Sequence, residues 1–203
     1  MIGIFGGSFD PIHHGHLRTA LDVQQALGLA ELRLIPLRDP PHRTPLATSP
    51  EQRLEMLRAA VAGVSELTVD QRELERSGKS YTLYTLQSLR AELGEASICL
   101  ILGYDAFLGF PNWHGPEEIL ALAHLVIMQR PGESGQLPYP ERRVTDPHSL
   151  NSSMAGKVYL QPVTQLDISG TRIREMLRLG QSPRYLLPDA VLEIIERDGL
   201  YRT

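Results

Sequence analysis

The chain opens "MIGIFGGSFDPIHHGHLRTA" (residues 1–20). Ile2–Phe5 reads as a short apolar strand. Gly6 and Gly7, a serine, a proline and three histidines follow before the next apolar run begins at Leu17. A strand feeding a glycine-containing turn and then a helix is the first half of a strand–helix–strand unit. In sheets built from such units, ligands sit outside the carboxyl ends of the strands, where the strand order reverses. The opening loop therefore stands where chemistry is expected.

The alternation continues along the chain. Leu17–Leu27 reads as a helix stopped by Gly28, with Leu17, Ala20, Leu21 and Leu27 on one face. "LRLIPL" (32–37) is a second strand, followed by the proline-rich loop 38–49. Ser49 as N-cap, Pro50 at the first position and Gln52 completing a capping box predict a helix start, with Leu54, Leu57 and Val61 as its apolar face. "LTVD" (67–70) is a third strand. A helix over 82–93 carries Leu83, Leu86, Leu89 and Leu93, with Thr82 as its expected cap. "SICLIL" (97–102) is a central strand, buried on both faces. A short helix over 116–122 leads into "HLVIMQ" (124–129), a fifth strand. "RPGESGQLPYPERR" (130–143) reads as a surface loop and "KVYLQP" (157–162) as a sixth strand. Helices over Thr171–Leu179 and Pro188–Asp198 close the chain. The expected fold is α/β: a Rossmann-like, doubly wound parallel sheet of five to six strands with helices on both faces, forming one domain over 1–203 whose C-terminal part, from about 168, is helical.

Composition narrows the function. The 203 residues carry a formal net charge of −4, so there is no general basic field for nucleic acid or for membranes, and no partner of either kind is expected. The single cysteine, Cys99, lies inside an apolar run and excludes a disulfide framework or a cysteine-based zinc site. The longest apolar stretch, Ile119–Met128, is too short to span a bilayer, and the first residues do not read as a signal peptide. A cytoplasmic location is expected.

The opening loop matches neither G-x-x-x-x-G-K-[ST] nor G-x-G-x-x-G, so neither a P-loop ATPase nor an ordinary dinucleotide-binding dehydrogenase is indicated. Gly6 and Gly7 let backbone N–H groups approach a ligand, and Gly15 precedes a helix whose N-terminus suits an anion. His13 and His16, three apart, can point to one side and stabilise charge on a leaving polyphosphate. A bound polyphosphate would draw both towards the protonated form, against the pull of the helix N-terminus. The competing readings are ordinary exposed histidines, or a metal held by His13, His14 and His16; no nearby Cys or Glu completes such a set, and no protein metal site is expected. At the other end, Arg172, Arg174, Arg178 and Arg184 stand against Glu175 alone within 169–184, a local basic patch in an acidic chain.

These residues carry a resemblance. "GGSFDPIHHGH" contains the H-x-G-H signature of the nucleotidyltransferase superfamily, and "ISGTRIR" (168–174) resembles its second signature, I-S-S-T-x-I-R, with Gly170 in place of the usual second serine. With "PPHR" (40–43), "SYT" (80–82), "GYD" (103–105), Trp113 and "RPG" (130–132), nearly the whole chain resembles the bacterial nicotinate-nucleotide adenylyltransferases. The resemblance implies transfer of the adenylyl group of ATP to nicotinate mononucleotide, giving deamido-NAD and pyrophosphate in NAD biosynthesis, with Mg²⁺ accompanying ATP. The attack is direct and in line, with no covalent intermediate.

By the same resemblance, His16, His13 and Arg174 are catalytic. Gly6, Gly7, Ser8, Phe9, His13, His16, Ile168, Ser169, Thr171 and Arg174 bind ATP. His42, Arg43, Tyr81, Thr82, Gly103, Asp105, Trp113 and Arg130 bind the acceptor. Trp113 would stack on the pyridine, and the helix start at Tyr81 and Thr82 would hold the nicotinate carboxylate. Plain core packing for Trp113 and plain caps for Thr82 and Ser169 compete with these roles. Oligomeric state stays open, with a homodimer as one candidate. Two other readings compete: another adenylyltransferase of the superfamily, such as one acting on phosphopantetheine, and a non-catalytic nucleotide-binding module. A class I aminoacyl-tRNA synthetase shares a related histidine signature but needs a KMSKS-type loop and tRNA-binding domains that this chain lacks.

Overall fold

The structure is a computed structural model describing residues 1–39, 46–129 and 137–202. Seven strands form one sheet: β1 (Ile2–Gly7), β2 (Glu31–Pro36), β3 (Leu67–Val69), β4 (Ile98–Gly103), β5 (His124–Gln129), β6 (Arg143–Val144) and β7 (Val158–Pro162). Their order is β3-β2-β1-β4-β5-β7-β6, every pairing parallel. The expected five to six strands become seven. The extra one, β6, is a two-residue edge strand that begins at the last residue of the segment read from sequence as loop 130–143, too short to show an alternation.

The helices are α1 (His14–Leu27), α2 (Pro50–Val61), α3 (Arg72–Glu75), α4 (Thr82–Leu93), α5 (Tyr104–Leu108), α6 (Pro116–Leu122), α7 (Gly170–Arg178) and α8 (Asp189–Arg197). One core, with Val23, Met56, Ile173 and Val191, packs α1, α2, α7 and α8 against one face of the sheet. The other, with Leu83, Leu86, Phe107 and Ile119, packs α4, α5 and α6 against the opposite face. Strand residues alternate between them: Cys99 and Ile101 enter the first, Ile98, Leu100 and Leu102 the second. That double burial is why 97–102 reads as a continuous apolar run.

Several local expectations hold. Ser49 accepts from the Gln52 N–H at 3.2 Å, and the Gln52 side chain accepts from the Ser49 N–H at 2.9 Å, closing the capping box. Others change. The buried ridge of α2 is Arg53, Met56 and Leu57, with Leu54 and Val61 only half-buried. The helix is turned so that an arginine faces inward. Tyr81, not Thr82, occupies the cap position of α4, and α1 begins at His14 rather than Leu17. Two short helices, α3 and α5, were not read from sequence. No helix among the described residues is long and apolar enough to cross a membrane.

Strand order reverses between β1 and β4, which are hydrogen-bonded neighbours. The loop after β1 and the start of α5 after β4 therefore share one edge of the sheet.

Candidate active site

The loop between β1 and α1 is folded over its own aromatic core. Phe9 has φ +46°, a left-handed backbone rarely taken by a bulky residue, and no exposed surface. Its ring meets His16 edge-on at 5.2 Å and Phe5 edge-on at 5.8 Å. Phe9 thus supports a histidine with its side chain, and only its backbone remains for a ligand. His13 occupies the N-cap position of α1 without a side-chain capping bond, which leaves its ring free for other use. The His13 and His16 rings stack, with centroids 3.7 Å apart and planes 23° from parallel. A Cβ at Gly15 would lie 3.0 Å from Cε1 and Nδ1 of His13, tighter than ordinary contact. The glycine of H-x-G-H is thus what lets the two imidazoles close on each other.

Burial, helped by His14, lowers the His13 pKa from 6.5 to about 4. Burial, helped by His13, holds His16 well below its ordinary value. Both rings are neutral in the free protein at neutral pH. The Nδ1 atom of each is buried and without a hydrogen-bond partner among the described residues. Two stacked neutral imidazoles do not repel each other, and an arriving polyanion would favour their protonation.

The second signature meets the first directly. Ser169 caps α7, accepting from the Arg172 N–H at 3.2 Å. Arg174 donates from Nη1 to the backbone carbonyl of Asp10 at 2.6 Å and from Nη2 to Thr171 Oγ1 at 3.3 Å. The Ile168 carbonyl lies 3.4 Å from where a Gly15 Cβ would be. Gly170 gains a reason here: a Cβ there would stand 3.1 Å from the Asp10 carbonyl and 3.4 Å from Arg174 Nη1. The missing serine leaves room for the bond that ties α7 to the opening loop.

Of the residues expected to bind the acceptor, Gly103 ends β4, and a Cβ on it would meet nothing within 4 Å, so the space above it is open. Asp105 is exposed in the first turn of α5. Ser80 is buried, and its Oγ accepts from the N–H groups of Arg38 at 2.9 Å and Asp39 at 3.3 Å, binding the approach to α4 to the segment that leaves β2. Trp113 is half-buried, its ring tilted against Phe110 at 5.4 Å, so packing accounts for part of it. The His114 ring lies 4.6 Å from Tyr81, which brings the Trp113 loop to the start of α4. His42, Arg43 and Arg130 lie outside the described residues.

Sequence reading did not single out Asp10, Thr48, Arg53 or Tyr201 for a role. Asp10 is buried and accepts hydrogen bonds from Ala47 N–H, Thr48 Oγ1 and Tyr201 OH, so its carboxylate is engaged within the protein. Among the described residues, no three His, Cys, Asp or Glu side chains gather as a metal cluster. Cys99 is fully buried, its thiol pushed up to about 12 by burial, and supplies no nucleophile.

Comparison with known proteins is consistent with this geometry. Residues 4–176 match the model of the family described as cytidylyltransferase-like. A protein of Methylococcus capsulatus named "Probable nicotinate-nucleotide adenylyltransferase" is 50% identical over 99% of this chain and 99% of its own length. One of the same name from Halorhodospira halophila is 52% identical over 98% of this chain and 94% of its own. Among solved structures, the Plasmodium falciparum nicotinic acid mononucleotide adenylyltransferase complexed with NaAD has a TM-score of 0.76 at 19% identity, covering 98% of this chain and 96% of that one. At that identity the likeness speaks for the fold.

Proposed function

We propose a function on one premise: the chain belongs to the cytidylyltransferase-like family and, within it, to the nicotinate-nucleotide adenylyltransferases. Its reaction is transfer of the adenylyl group of ATP to nicotinate mononucleotide, giving deamido-NAD and pyrophosphate. The observation that carries this reading is the stacked, neutral His13–His16 pair at the carboxyl end of β1, set against the start of α7.

The backbone of Gly6, Gly7 and Ser8 lines the ATP cleft, with Ser169, Thr171 and Arg174 at the polyphosphate. A phosphate oxygen of the acceptor attacks the α-phosphorus of ATP. The bond from that phosphorus to the bridging oxygen breaks, and pyrophosphate leaves with the electron pair. His13 and His16 take up protons as the polyphosphate binds and stabilise the charge that grows on the departing group. No side chain forms a bond to phosphorus, so positioning and charge stabilisation supply the catalysis. Enzymes of this kind take a divalent ion with ATP, and Mg²⁺ enters here as part of that substrate. Imidazoles suit Mg²⁺ poorly and Asp10 is engaged, so no step is assigned to a protein-held metal.

The acceptor lies between Asp105, which accepts from ribose hydroxyls, and the Tyr81–Thr82 start of α4, which holds the carboxylate, with Trp113 against the pyridine. His42, Arg43 and Arg130 add positive charge around its phosphate. Donors oriented at a carboxylate disfavour an amide, whose NH₂ would face them. Incubation with MgATP and nicotinate mononucleotide should release pyrophosphate and deamido-NAD in equal amounts. ATP binding without turnover, whatever the acceptor, would contradict the reading.

A further inference from the structure

Four separate segments meet at Asp10, three residues before His13. Its Oδ1 accepts from the Tyr201 hydroxyl at 2.7 Å and from Thr48 Oγ1 at 2.7 Å. Its Oδ2 accepts from the Ala47 N–H at 2.8 Å. Its backbone carbonyl accepts from Arg174. Thr48 Oγ1 and the Tyr201 hydroxyl are themselves 3.3 Å apart. Beneath the same loop, the fully buried Arg53 donates from Nη1 to the Ser8 carbonyl at 3.0 Å. Asp10 is only 5% exposed, so these donors take the place of water around its side chain.

We propose that Asp10 and Tyr201 form a latch in which the C-terminal tyrosine hydroxyl fixes the loop carrying His13 and His16, making both positioning residues for the reaction. The chain is built to deliver that hydroxyl. α8 packs on α2, with Arg197 bonded to both carboxylate oxygens of Glu55 at 2.9 and 3.0 Å. Gly199 then turns the chain at φ +62°, and Tyr201 itself takes φ +63° to reach inward. Burial, then the neighbouring Asp10 carboxylate, raises the Tyr201 pKa, so the group stays a donor across the working pH range. A tyrosine that served packing alone would need neither its hydroxyl nor a buried carboxylate opposite. Because Asp10 also receives Ala47 and Thr48 from the segment before α2, and Arg174 from α7, the latch holds the phosphate-facing loop in register with both.

The inference rests on the adenylyl-transfer reading only for the activity that reports it. The experiment compares the wild type with Tyr201→Phe and Tyr201→Leu, measuring kcat, the KM for ATP, and amide hydrogen exchange of the segment 6–17. The latch predicts that Tyr201→Phe, which keeps the ring, loses as much kcat as Tyr201→Leu, about tenfold. It also predicts faster exchange in 6–17 in both variants, with α4–α6 unchanged. A purely packing role predicts that phenylalanine rescues. Wild-type kcat in Tyr201→Phe, with or without faster exchange, overturns the latch. A wild-type enzyme without turnover would count against the adenylyl-transfer reading instead, and unchanged exchange in Tyr201→Phe would still overturn the latch. If the tyrosine variants fail to fold, Thr48→Val removes a donor to the same Oδ1 and is held to the same kcat and exchange criteria.

Discussion

Each imidazole of the histidine pair is held against its own ionisation. His13 titrates near 4 in the folded protein and near 6.5 unfolded, so between those values the unfolded chain binds the extra proton. The His13 contribution to stability is therefore fully present above pH 6.5 and is lost as pH drops towards 4, by up to about 3 kcal/mol. Denaturant unfolding across pH 4–7 should show this decline in the wild type and a flatter curve in His13→Gln; parallel curves would mean that His13 is not buried as described. Binding ATP should reverse the depression, with net proton uptake near neutral pH visible by calorimetry in buffers of different ionisation enthalpy. His16→Ala should lower kcat by roughly 10²–10³ while the protein still folds; an unchanged kcat would remove His16 from the chemistry. The histidines were legible from sequence because their spacing and their place after a strand are linear facts. Their neutrality was not, because it comes from Phe5, Phe9 and mutual stacking, which the fold supplies.

At the scale of elements, the site is a meeting of helix beginnings. α1, α5 and α7 start at it, and α4 starts at the acceptor side. Ser169 both caps α7 and stands at the proposed phosphate site, so Ser169→Ala should cost about 1 kcal/mol of stability and also raise the KM for ATP. A stability loss with KM unchanged would leave it a cap alone. Trp113 joins the core through Phe110 while its loop reaches Tyr81 through His114. Trp113→Ala should raise the KM for the pyridine nucleotide far more than that for ATP, and equal changes in both would assign it to packing. The capping box at Ser49 and the Gly28 stop were plain in the sequence because capping is local. The inward turn of Arg53 was not: a cation on the edge of an apolar stripe looks like solvent, and the Ser8 carbonyl it bonds is brought to it by the fold. α5 was missed because "YDAFL" follows its strand with no connecting turn.

Across the whole molecule, the proposed site lets an acidic chain take a polyanion by concentrating donors at one edge of one sheet. Parallel topology does this by bringing the carboxyl ends of β1 and β4 together at the switch in strand order. What linear reading could not show is the convergence on Asp10. Its partners lie 37, 38, 164 and 191 residues away, a separation that carries no periodic signal. The proposed donor half of the cleft rests on that convergence; the proposed acceptor half would set the identity of the reaction. Pyrophosphate release measured side by side with nicotinate mononucleotide, nicotinamide mononucleotide and phosphopantetheine as acceptors tests this most directly. The predicted order places nicotinate mononucleotide first, with the amide well below it and phosphopantetheine inert. Turnover of phosphopantetheine without turnover of nicotinate mononucleotide would contradict the account.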